Sequence, residues 1–130
     1  MKTLFHSSVA IALLFCSLFA AAQTQQITER AYPEGYITGV VTSAAGPEAG
    51  VWVIAETFET NTPFVKIVVT DDDGRYSLPQ MPEATYDVWV RGYGLVDSES
   101  VEGRPGDRDL NLTAVVAATE QEAAEVYPAD

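Results

Sequence analysis

Between residues 36 and 117 the chain is a succession of short runs rich in Val, Ile, Thr, Tyr and Trp, separated by clusters of Gly, Pro and Asp. Seven runs predict seven strands, at 36–42, 50–58, 64–70, 75–79, 85–93, 95–101 and 109–117. Their punctuation has a mechanism. Asp73-Gly74 between two apolar runs predicts a tight hairpin, because Gly accepts the positive φ that such turns require. Pro79 and Pro82 end the fourth run, since neither can donate to a ladder. Ala45-Gly46-Pro47, Thr60-Asn61-Thr62-Pro63 and Arg104-Pro105-Gly106-Asp107 are further turns. No helical period persists within this body, so the expected fold is an all-β antiparallel sandwich. The one helix signal follows it, in 119–126, where Thr119 and Glu122 have capping-box spacing in an Ala- and Glu-rich segment.

The first 22 residues follow another pattern. Lys2 precedes an apolar run over 9–22 that is shorter than the ~20 residues of a membrane span and ends Ala20-Ala21-Ala22. This predicts a cleavable signal peptide with cleavage after Ala22, and hence a periplasmic or extracellular location. Bulky Phe15 argues against lipoprotein processing at Cys16. Residues 23–35, polar with Pro33 and Gly35, read as a flexible linker. The domain plan is thus signal peptide 1–22, linker 23–35, sandwich 36–117 and a short helical or disordered tail 118–130.

Composition narrows the chemistry. The single Cys (Cys16) and single His (His6) both belong to the expected leader. The exported portion therefore forms no disulfide of its own and holds no imidazole- or thiolate-based metal or nucleophile site. With 19 acidic against 7 basic residues and a net charge of −12, nucleic acid is a poor partner.

Several motifs, in order, resemble the carboxypeptidase regulatory-like domain family. They are Tyr36-Ile37-Thr38-Gly39-Val40-Val41-Thr42, the turn from Gly46-Pro47 into Gly50-Val51-Trp52-Val53, and Thr70-Asp71-Asp72-Asp73-Gly74-Arg75-Tyr76-Ser77-Leu78. Leu78-Pro79, Met81-Pro82 and Ala84-Thr85-Tyr86-Asp87-Val88-Trp89-Val90 complete the likeness, with Ala84 where the family usually has Gly. The resemblance spans 36–117. It implies a seven-stranded, transthyretin-like (prealbumin-like) β-sandwich, a fold grouped with carbohydrate-binding-like domains, in a module that is usually non-catalytic. Related urate-pathway hydrolases depend on His and Arg side chains and a characteristic C-terminal tetrapeptide; this chain ends Tyr127-Pro128-Ala129-Asp130.

Two groups of residues are candidate sites. Asp71, Asp72 and Asp73 could supply oxygen ligands to Ca²⁺, yet EF-hand spacing fails around Gly74, and a solvated hairpin tip accounts for them more simply. The tryptophans are more informative. If Val51, Val53 and Ala55 face the core, Trp52, Ile54 and Glu56 face away; likewise Tyr86, Val88 and Val90 against Asp87, Trp89 and Arg91. A one-residue register slip would invert both sets. Trp52, Ile54, Trp89 and Tyr93 are therefore expected to form an exposed or semi-exposed aromatic interaction surface, provided that the two strands are neighbours or their faces adjoin. The carboxylate pairs Asp97/Glu99 and Asp107/Asp109 read as acidic surface, not as a glycosidase pair. The functional expectation is a non-catalytic module without cofactor that contacts another protein or domain outside the cytoplasm. The alternative is a carbohydrate-binding module that stacks sugar rings on tryptophan.

Overall fold

The computed structural model describes residues 31–126. The expected leader, its cleavage point at Ala22 and the last four residues lie outside them. The described chain is all-β apart from one terminal helix. Its strands are β1 (Ile37–Ser43), β2 (Gly46–Pro47), β3 (Trp52–Thr57), β4 (Phe64–Val69) and β5 (Arg75–Leu78), followed by β6 (Tyr86–Arg91), β7 (Leu95–Val96), β8 (Val101–Gly103), β9 (Leu112–Thr113) and β10 (Val115–Val116). Helix α1 (Glu120–Val126) is the last described element.

Two sheets enclose one apolar core. In the first, β1 is the spine: β5 pairs antiparallel along Ile37–Val40, β2 along Thr42 and Ser43, and β9 runs parallel beside Val41 and Thr42. The second sheet is antiparallel throughout, in the order β4-β3-β6-β8. A two-stranded ribbon joins β7 to β10. The core draws Ile37, Val41, Tyr76 and Leu78 from the first sheet and Val53, Ala55, Tyr86, Val88 and Val90 from the second. Alternation on β3 and β6 thus matches the expected register: Val51, Val53 and Ala55 are buried, as are Tyr86, Val88 and Val90.

Among the described residues ten strands stand where the pattern predicts seven, and one pairing is parallel. The 95–101 run splits because Ser98 replaces ladder contacts with its own: its hydroxyl accepts the Val90 N–H at 2.9 Å, and its N–H donates to the Val90 carbonyl at 3.1 Å. The 109–117 run begins late, because the φ of 56° at Asp109 is incompatible with an extended strand, and it splits at Ala114 between β9 and β10. Residues 107–114 then follow β1, through Thr38 N–H to Asp107 O, Leu110 N–H to Thr38 O and Ala114 N–H to Thr42 O. Gly39 permits this approach, since a Cβ there would lie 2.1 Å from the Leu110 carbonyl oxygen.

The Asp73-Gly74 turn forms, but not as a hairpin. Gly74 has φ +74°, and its N–H donates to the Asp71 carbonyl. Asp71 Oδ1 accepts the N–H groups of Asp73 and Arg75 at 3.0 and 2.9 Å. The strands so joined, β4 and β5, belong to opposite sheets. A turn fixes the φ/ψ of two or three residues; it does not select the partner of the strand that leaves it.

At the ends, Arg108 donates to the carbonyls of Tyr32 and Pro33, which ties the described part of the expected linker to the body. Helix α1 lies beside β7. Thr119 Oγ1 accepts the Glu122 N–H at 3.1 Å, and Glu122 Oε2 accepts the Ala118 N–H at 2.7 Å, one residue earlier than an ideal capping box. Among the described residues no helix is long and apolar enough to cross a membrane.

Candidate interaction face

The outer face of the β4-β3-β6-β8 sheet carries the residues that alternation excludes from the core. Register aligns them in rows. Val69, Trp52 and Arg91 lie side by side across β4, β3 and β6; Ile67, Ile54 and Trp89 form the next row; Val65, Glu56, Asp87 and Glu102 form the third, which reaches β8. Neighbouring strands are ~4.8 Å apart and successive rows about 7 Å apart, so these side chains form one continuous surface.

Its β4 side is apolar and open. Val65 and Ile67 are each 52% exposed, Val69 57% and Trp52 41%. Ile54 is only 5% exposed although it takes no part in the core; its cross-strand neighbours Ile67 and Trp89 shield it. A fully buried aliphatic side chain contributes ~1.5–3 kcal/mol, so covering the open halves of Val65, Ile67 and Val69 would contribute roughly 1 kcal/mol apiece. Forgoing this on three adjacent positions is uncommon for an isolated surface.

Trp89 is half-buried, and its surroundings are polar. Its Nε1 donates to Glu56 Oε1 at 3.2 Å, and the Arg91 guanidinium sits 4.9 Å from its ring centroid. Arg91 in turn forms a bidentate pair with Asp97, at 2.7 and 2.5 Å. Beside Trp89 lies a shallow open depression of about 310 Å³, lined by Asp97, Ser98, Glu99 and Ser100.

Of the four residues expected to form an aromatic surface, the fold brings Trp52, Ile54 and Trp89 together. Tyr93 does not join them. Strand β6 ends at Arg91, Gly92 fits against Val51 and Leu95, and Tyr93 occupies the following turn, 96% exposed. Val65, Ile67 and Val69 were not anticipated. They do share one parity, but Phe64 and Val68 of the other parity are apolar too, so alternation alone is silent about which face is outward.

Three of the acidic candidates, Asp71, Asp97 and Asp107, have local roles. The carboxylate of Asp71 organises its turn, and among the described residues no group of three or more His, Cys, Asp or Glu side chains is placed to hold a metal ion. Asp97 is held by Arg91, whereas Asp107 Oδ2 accepts the Arg104 N–H at 2.8 Å and closes the 104–107 turn. No family model matches the chain, and no curated protein matches it.

Proposed function

We propose that this chain is a non-catalytic, exported module with the transthyretin-like sandwich of carboxypeptidase regulatory-like domains, and that it docks another protein or domain on the outer face of the β4-β3-β6-β8 sheet. The observation that carries this reading is the in-register block of Trp52, Val65, Ile67 and Val69, all exposed on two adjacent strands. Export and the family likeness rest on the leader pattern and on the motifs of 36–117. The test compares wild type with Ile67→Asn in co-purification from the extracytoplasmic fraction of the source cells. A stoichiometric partner retained by wild type and lost by the variant supports docking, and an identical set of co-purifying proteins overturns it.

The depression beside Trp89 favours a second reading, carbohydrate binding, because it joins an indole to hydroxyl and carboxylate groups that could bond sugar hydroxyls. Arg91 already occupies space over that ring, which leaves less of it for a stacked sugar. Retention on starch, cellulose or chitin that Trp89→Ala abolishes would establish this reading over the first.

A further inference from the structure

We infer that the partner of this face is a cationic, apolar polypeptide segment. It lays aliphatic side chains on Trp52, Ile67 and Val69 and sets lysine or arginine over the carboxylates of Glu56, Asp87 and Glu102. This deepens the docking reading and rests on it.

The third row is the basis. Glu56 is directly opposite Asp87, and Asp87 is directly opposite Glu102. Cross-strand neighbours of like charge destabilise a sheet, and opposite charges are the favourable pairing. Glu56 retains one contact, from the Trp89 indole, whereas the Asp87 and Glu102 side chains have no hydrogen bond or ion pair with another described residue. Among the described residues, Arg91 leaves the strand two rows away, lays its guanidinium over Trp89 in the adjoining row and pairs with Asp97. Lys66 is on the opposite side of β4, alternating with Phe64 and Val68, which pack on the core. A face about 14 Å across thus presents an aliphatic half and an adjoining anionic strip in which Asp87 and Glu102 are bonded to no described residue.

Other occupants fit less well. A second copy brings the same strip and the same net charge of −12, so approach is repulsive. Anionic lipid is repelled likewise. Strand addition along the free edge of β4 is opposed by Lys66, because a charge on the core-facing side of an edge strand is a device against edge pairing. A segment bearing Lys or Arg one strand repeat or one helical turn from its aliphatic anchors complements both halves together, since rows ~7 Å apart match either spacing.

The experiment titrates the ¹⁵N-labelled chain with three short synthetic peptides at low and at physiological salt. One carries alternating Lys and aliphatic residues, one replaces Lys with Glu, and one keeps Lys but replaces the aliphatic residues with Ser. The expected result is binding of the first peptide alone, with amide shifts centred on β3, β4, β6 and β8. Its affinity falls roughly threefold or more at physiological salt. It falls at least as far in the Asp87→Asn/Glu102→Gln double variant, whose substitutions leave the apolar half intact. Equal binding of the Lys and Glu peptides, or affinity indifferent to salt and to the double variant, overturns the cationic partner and leaves the docking reading standing. Absence of binding by both aliphatic peptides, or shifts confined to another surface, overturns the inference and the docking face together. Concentration-dependent dimerisation in sedimentation, abolished by Ile67→Asn, replaces the cationic partner with a second copy.

Discussion

Replacing Asp87 with Asn isolates the energetic consequence of the acidic row. Asp87 is exposed, it lies between Glu56 and Glu102, and its side chain bonds to no described neighbour, so the substitution removes charge and little else. Directly opposed Cβ atoms are ~5 Å apart, which sets the carboxylates about 6 Å apart. At the dielectric constant of water, each unit pair then repels by ~0.7 kcal/mol before screening. With two pairs relieved, Asp87→Asn should stabilise the fold by about 1.1 kcal/mol at 0.01 M ionic strength, about 0.7 at 0.15 M and about 0.2 at 1 M, following Debye lengths of ~30, ~8 and ~3 Å. Urea denaturation at the three ionic strengths measures this as a rise in midpoint at unchanged slope. A variant less stable than wild type, or a gain that does not shrink with salt, would refute the claim that these carboxylates confront one another unrelieved.

Three further outcomes follow from the fold. Ile37→Ala, at a fully buried position, should cost ~2–5 kcal/mol, and Ile67→Ala on the open face less than about 1 kcal/mol, so melting temperatures of the two separate clearly; similar losses would mean that the outer face is covered within the chain itself. Gly39→Ala sets a methyl against the Leu110 carbonyl oxygen and should lower stability by ~2 kcal/mol or more, read as an early urea midpoint, and a neutral result would show that residues 107–114 do not hug β1. Burial raises the Tyr76 phenol above its ordinary value, and Asp107 adds to the shift. Because unfolded tyrosine ionises near ~10, this contribution is intact below about pH 10 and is lost as pH rises beyond it. Melting temperature should therefore fall more steeply above about pH 10 in wild type than in Tyr76→Phe, and parallel curves would contradict the raised value.

The sequence by itself determined much about single strands. Alternation on β3 and β6 sorts Val53 and Val88 from Trp52 and Trp89, because a strand's period of two is written in four or five consecutive residues. Gly74 marks its turn for the same local reason: a positive φ excludes nearly every other residue. Partnership was decided only by the tertiary structure. Nothing local states that β3 has β4 on one side and β6 on the other, yet this sets Ile54 between Ile67 and Trp89 and Glu56 opposite Asp87. Nor does Asp73-Gly74 state that β4 and β5 enter opposite sheets, or Leu112 that its strand runs parallel to β1. The core stabilises such pairings collectively, through contacts between residues far apart in sequence, and a face made of three or four strands exists only once those contacts have formed.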